Sequence, residues 1–145
     1  MQAVALPFGV VNAPGQRYHP VIIAQAIATL AEMHPDRLWV ALGSGEASNE
    51  HVTGDPWPPK AERNARLAEC VEVIRGLLRG DEVSTDGRVR VDRAQLWTLP
   101  SRPPPLIGAA LSEATAAWCG EWADGLITVH APPDQLRRVV EAFRS

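Results

Sequence analysis

Two glycines, an acid and an amide fall within the seven positions Gly43-Ser44-Gly45-Glu46-Ala47-Ser48-Asn49, directly after the apolar run Leu38 to Leu42. Glycines without a Cβ let backbone approach a planar ligand closely, and Glu46 and Asn49 carry the side chains to hydrogen-bond it. The same residues also suit a plain strand-to-helix turn, so the pattern alone leaves both readings open. It is not the dinucleotide fingerprint G-x-G-x-x-G, because the third glycine falls on Ser48, and it holds no P-loop lysine. An open-sheet nucleotide binder is set aside on those grounds.

Other candidates are weaker. Tyr18 and His19 precede Pro20 and either meet a ligand or cap the helix that starts there. Ser112, with the N–H groups of Leu111 to Ala114, either holds a phosphate at a helix N-terminus or is an ordinary cap. Glu113 beside it argues against a dianion. Trp39 reads as core filling, and Trp118 and Trp122, four apart, as a packed helix face. Cys70 and Cys119 lie in helical patterns with no metal-spaced histidine, so they read as buried free thiols and no metal site is expected.

The elements that must position these groups follow from hydrophobic pattern. Val4 to Val11 reads as a buried strand ending at Asn12-Ala13-Pro14-Gly15, and Pro20 to Met33 as a helix apolar nearly all round. Arg37 to Leu42 is a second buried strand. Ala61 to Arg79 is a helix with Leu67, Cys70, Val71, Ile74 and Leu78 on one stripe, stopped at Gly80. Residues 82–99 form a small β-hairpin excursion, with Asp86-Gly87 as a two-residue turn. Leu106 to Ala110 is a strand, Ser112 caps a helix running through Trp122, Gly125 to Val129 is a strand, and Pro132 to Phe143 is the last helix.

The sum is an α/β chain of one domain, residues 1–145, with four strand-then-helix units. Near-continuous apolar strands imply a parallel sheet covered by helices, either an open doubly wound sheet or an arc of a (β/α) TIM-type barrel. In both, function gathers at the carboxyl ends of strands. Those ends are Asn12 to Tyr18, Gly43 to His51, Ala109 to Glu113, and His130. His34 belongs at the opposite rim.

Charge and composition narrow the classes. The chain has 14 basic and 17 acidic residues and a net charge of -3, with neither sign in a block, so nucleic acid is not an expected partner. No apolar run approaches a membrane span and no signal peptide pattern is seen, so a cytoplasmic protein is expected.

Taken together, RYHPVIIAQAIATLAEMHPDRLWVALGSGEASNEHVTGDPWPP, ERNARLAECVEVIRGLLRG and PPPLIGAALSEATAAWCGEWADGLITV resemble the luciferase-like monooxygenase superfamily, its flavin- and deazaflavin-dependent oxidoreductases above all. The resemblance implies a TIM-barrel enzyme that holds FMN or coenzyme F420 at the carboxyl face. It places Gly43, Ser44, Gly45 and Asn49 against the ring, and makes Glu46 the catalytic acid or base, a buried carboxyl with a raised pKa. It sets the face of the ring over Val10, Val11 and Asn12, with Val10–Val11 as a candidate non-proline cis bond; a trans bond there counts against cofactor binding. Ala109, Ala110 and Ser112 match the family's phosphate-side loop. Leu111-Ser112 replaces the paired glycines common in deazaflavin enzymes, which ranks FMN first and F420 second.

The resemblance also implies a departure. A family barrel needs eight βα units, and this chain holds what look like the third to the sixth, a partial barrel. The strands that carry the usual catalytic histidine and acid, and those that complete the phosphate site, are missing. Two outcomes follow: an oxidoreductase that closes a barrel as a homodimer through its exposed sheet edges, or a non-catalytic remnant that self-associates and holds no cofactor.

Overall fold

A computed structural model describes residues 6–145. Of the expected first strand, Val4 and Ala5 lie outside the described residues. Four strands form one parallel sheet in the order β1-β2-β5-β6: β1 Phe8–Asn12, β2 Leu38–Leu42, β5 Leu106–Ala109 and β6 Gly125–Ile127. Each is followed by helix: α1 Pro20–Met33; the short α2 Ala47–Glu50 and then α3 Lys60–Arg79; α4 Glu113–Gly120; and α5 Pro133–Arg144. All sheet pairings are in simple register, Val10 opposite Val40, Ala41 opposite Ile107, and Gly108 opposite Leu126. A parallel pair needs a crossover, and the helices supply it. The sheet does not close, and β1 and β6 each pair on one side only.

Alternation along β2 shows where the core lies. Leu38, Val40 and Leu42 join Ile23, Ala24 and Ile27 of α1 and Leu67, Val71 and Ile74 of α3 in the main core. Trp39 faces the other way. Its indole lies over Gly9, where an added Cβ would stand 2.1 Å from the ring. The expectation that Trp39 fills the core is corrected: it is half-buried, because the face it covers has no second layer. A smaller core joins α4 to α5 through Ala116, Cys119 and Val139.

The buried first strand is also corrected. Gly9, Val10 and Val11 are exposed, because β1 is an edge strand with a neighbour only at β2. The helix expected to run to Trp122 stops at Gly120; Trp122 and Ala123 then turn back, their N–H groups donating to the Cys119 carbonyl.

The hairpin β3 (Val83–Asp86) and β4 (Arg90–Ala94) lies where residues 82–99 place it, but its turn is not the two-residue Asp86-Gly87. Asp86 pairs with Arg90, so Gly87, Arg88 and Val89 form the loop. The cause is tertiary: Glu69 of α3 accepts from the Arg88 N–H at 2.6 Å, the Val89 N–H at 3.3 Å and Arg88 Nη1 at 2.7 Å. Those donors, the Arg88 guanidinium first, hold the Glu69 carboxyl below its ordinary pKa.

Candidate functional site

The four βα turns meet at the carboxyl rim around a cavity of about 560 Å³. Val11, Asn12, Gly43, Ser44, Gly45, Glu46, Asn49, Ala109 and Ala110 all line it. Its size falls within the roughly 300–1,000 Å³ of small-molecule sites. The structure does not bring every expected residue there. Val10, by strand alternation, points to the α1 side, and Ser112 is occupied as the cap of α4, accepting from the Thr115 N–H at 3.4 Å.

The loop after β2 is set by backbone. Gly43 N–H donates to the Asn12 carbonyl at 2.9 Å, which carries the β1–β2 ladder one residue past the strands. Gly45 sits at φ +78°, in the left-handed region where a side chain is strained, and an added Cβ would meet Glu50 at 3.0 Å and Ala13 at 3.3 Å. A glycine is required there on both counts.

Arg63 of α3 then fixes the loop. Its Nη1 donates to the Ser44 carbonyl at 3.3 Å and the Gly45 carbonyl at 3.2 Å, and its Nε to Pro58 at 3.2 Å. The guanidinium lies 4.4 Å from the centroid of the Trp57 ring, a cation–π contact. The segment Pro56-Trp57-Pro58 thus acts through Arg63 on the glycine loop.

The acids divide by environment, and here the expectation for Glu46 is corrected. Glu46 is exposed, at the start of α2, with no cap bond from its side chain. The buried carboxylate is Glu50, one turn on, at 2% exposure. Arg17 pairs with it at 3.2 Å, from the loop after β1. A short helix places two acids four apart, but Glu46 is still in extended conformation, so only Glu50 is turned under the rim. Among the described residues Glu46 has no ion-pair partner and faces the cavity free.

Sequence reasoning did not single out Arg17, Glu50, Lys60 or Arg63. Arg17 and Glu50 both stand in the first stretch quoted for the resemblance, within RYHP and GSGEASNE, a cation and an acid assigned to the same rim, and that was the readable signal. Lys60 lines the cavity with its Nζ 2.9 Å from the Thr115 hydroxyl.

The remaining candidates have structural occupations. His19 Nδ1 accepts from the Val21 N–H at 3.3 Å, and its Nε2–H reaches the Arg90 carbonyl at 3.0 Å, so the ring caps α1 and ties it to the hairpin. His51 Nδ1 lies 3.1 Å from the Ala47 carbonyl. His130 is exposed, and His34 stacks edge-on against Phe8 at the opposite rim. Cys70 and Cys119 are free and buried, and burial pushes their thiols up to about 12 and about 11. No three metal-ligating side chains cluster among the described residues, and no helix there is long and apolar enough to cross a membrane.

The Val10–Val11 bond is a further correction: the described residues hold no cis peptide. Val10 and Val11 stand in unbroken ladder register with Val40 and Ala41, which requires extended trans backbone. By the criterion set on the sequence, this weighs against a cofactor face over that bond.

Comparison with known proteins gives the family context. The model of the family described as luciferase-like monooxygenase matches residues 3–145. An F420-dependent glucose-6-phosphate dehydrogenase of Nakamurella multipartita is 42% identical over 124 residues, 85% of this chain and 37% of that protein. An F420-dependent hydroxymycolic acid dehydrogenase of Mycobacterium tuberculosis is 39% identical over 118 residues, covering 81% and 33%. A solved F420-dependent secondary alcohol dehydrogenase, in complex with an F420-acetone adduct, is 35% identical with a TM-score of 0.83, covering 92% of this chain and 43% of that one. The chain therefore spans less than half the length of these relatives. Each of their names carries F420 and none carries FMN, so ranking FMN first finds no support in them.

Proposed function

The chain belongs to the luciferase-like monooxygenase family, and on that premise we propose that it serves an F420-dependent dehydrogenation of a carbinol, with the deazaflavin ring against Gly43 to Asn49. The observation that carries the reading is the carboxyl-rim cavity with one carboxylate, Glu46, left unpaired at its wall among the described residues. The relatives named above are dehydrogenases, which supports hydride transfer over oxygen activation.

The residues present fit the ring portion of such a cofactor. Gly43, Ala109 and Ala110 give a floor of small residues, and Asn12 and Asn49 bring amides to the same cavity. The loop is fixed before any ligand arrives, because Arg63 holds its carbonyls, and that reduces the ordering cost of binding. When bound, F420 supplies the acceptor for a hydride leaving the carbinol carbon. Glu46 takes the proton of the carbinol hydroxyl and so becomes a carboxylic acid itself, and with the hydride gone the carbinol carbon is left as a carbonyl. Glu50 stays committed to Arg17 and keeps the wall beneath Glu46 in place. Lys60 and the Thr115 hydroxyl offer polar contacts at the cavity wall beside the phosphate-side loop, while Glu113 is neutralised by Arg138 at 2.9 Å.

A second reading, a half barrel without turnover, is favoured by the trans Val10–Val11 bond and by the exposed β1 at the cavity's edge. Titration separates the two. Absorbance and fluorescence are followed while F420, and separately FMN, is added to the protein. A saturable change with F420, abolished in Gly45→Val and kept in Glu46→Gln while dehydrogenation is lost, is expected. No change with either cofactor at any concentration establishes the second reading instead.

A further inference from the structure

A hairpin of two strands has two outer edges, and here they differ. Between the pairs Val83–Ala94 and Thr85–Val91, β4 carries one residue more than β3, a bulge at Arg93 (φ +46°) that disrupts its edge. Arg90 and Arg93 add exposed charge to the same strand. Features of this kind keep an edge from pairing with another chain. β3, Val83-Ser84-Thr85-Asp86, has no bulge, proline or cation, and its one charged residue is an acid. Among the described residues β4 is its only strand partner. On alternate residues of such a strand the N–H and C=O groups point away from the partner, so they are left for a further strand.

That free edge borders a groove of about 550 Å³. Ala68, Glu72 and Gly76 of α3, β3 itself and Trp122 beyond α4 line it, and no residue of β4 does. Both ends of β3 are fastened to α3. At the start Val83 packs on Gly76, where an added Cβ would stand 2.9 Å from the valine Cγ2. Beyond the end Glu69 accepts from the Arg88 and Val89 N–H groups. The edge is held extended before anything meets it, which lowers the ordering cost of adding a strand.

Charge selects the occupant. Three acids that line the groove are already paired, Glu69 with Arg88, Asp81 with Arg79 and Glu82 with Arg93. Glu72 is exposed on the wall with no ion-pair partner among the described residues. A cation brought by an incoming segment finds its counter-charge there.

We propose that the β3 edge binds an extended basic peptide of a partner protein as a third strand of the hairpin, with a lysine or arginine at Glu72 and apolar side chains toward Trp122. Backbone pairing supplies the affinity and the groove wall the choice of side chains. The walls belong to elements that follow β2 and β5, the two inner strands of the four-stranded sheet, so the groove stands apart from the open sheet edges. It shares no residue with the carboxyl-rim cavity and does not depend on the cofactor reading.

Fluorescence anisotropy of the whole chain with a fluorescein-labelled peptide alternating lysine and valine tests it, against a control alternating glutamate and valine. Saturable binding of the lysine peptide alone is expected, weakened about tenfold by Glu72→Lys. Circular dichroism checks that this variant folds; should it not, Glu72→Gln takes its place. Two further peptides carry N-methyl groups, one on the lysine amides and one on the valine amides. Strand addition uses only one of these sets, so one methylated peptide is expected to bind like the parent and the other not at all. The proposal is overturned by no saturable binding, by equal affinity for the lysine and glutamate peptides, by indifference to Glu72, or by equal affinities of the two methylated peptides.

Discussion

The two rims of the parallel sheet hold cavities of nearly equal volume, about 560 Å³ at the carboxyl rim and about 580 Å³ at the amino rim, yet their charges are used in opposite ways. At the amino rim Arg102 pairs with Asp36, Arg75 pairs with Asp124 and donates to the Trp122 carbonyl, and Asp124 accepts the Leu106 N–H at 2.8 Å. Arg37 there donates to the Leu6 carbonyl at 3.1 Å. Cations and acids neutralise each other, and the result is a fastening. At the carboxyl rim Arg63 is committed to backbone carbonyls and Arg17 to the buried Glu50, which leaves Glu46 without a partner among the described residues. Volume does not tell a site from a seam; what remains unpaired does.

The comparison can be broken most forcefully at Glu50. Arg17→Met strands a buried carboxylate and is expected to lower stability by about 3 kcal/mol in urea unfolding, while adding Glu50→Gln restores most of it. Failure of the second substitution to rescue removes the claim that Glu50 needs its cation. Gly45→Val forces a branched side chain into φ +78° against Glu50 and Ala13, and about 2 kcal/mol of stability, together with F420 binding, is expected to go.

The thiols test how closed the chain is beneath the sheet. Their folded pKa values, about 12 and about 11, stand above the ordinary value near 9. From pH 9 upward the unfolded chain releases these protons and the folded one keeps them. Stability therefore falls as pH rises from about 9, toward about 12 for Cys70 and toward about 11 for Cys119, by up to about 1.4 kcal/mol per pH unit for each thiol within its window. Replacing both cysteines by alanine should flatten that slope, measured against the variant's own stability at neutral pH.

Arg63→Met sharpens the contrast at the carboxyl rim. A loss of about 1 kcal/mol in stability is expected, with F420 binding weakened about tenfold because the loop is no longer held. Smallest is Arg102→Ala at the amino rim, an exposed ion pair: about 0.5 kcal/mol or less, and no change in the F420 titration. A larger effect on binding there than from Arg63→Met would invert the assignment of the rims.

The order of elements was readable because each depends on neighbours in sequence. Pro20 and the spacing of apolar residues set α1, and Gly80 ends α3 at φ +90°. The glycine loop was readable too, since Gly45 answers a local backbone need at φ +78°, although Gly43 is constrained only by Ala109 of a neighbouring strand. The acids were not. Glu46 and Glu50 are alike in sequence, and what separates them is an arginine 33 residues upstream of Glu50. The hairpin turn slipped for the same kind of reason: Asp86-Gly87 suits a two-residue turn locally, and Glu69, on another element, selects a three-residue loop. An apolar run such as Phe8 to Val11 carries no mark of whether a second neighbour exists, so the exposure of β1 was invisible.

The sequence by itself determined four βα units, a parallel sheet and a glycine loop at a strand's carboxyl end, because hydrophobic period, proline and glycine act over a few residues. Only the tertiary structure decided that Val10–Val11 is trans, that Glu46 is the exposed acid and Glu50 the buried one, and that β1 is an exposed edge. Those outcomes depend on ladder register, on ion pairing between distant segments and on which face lacks a neighbour, and each is a relation between segments that no single stretch of chain contains.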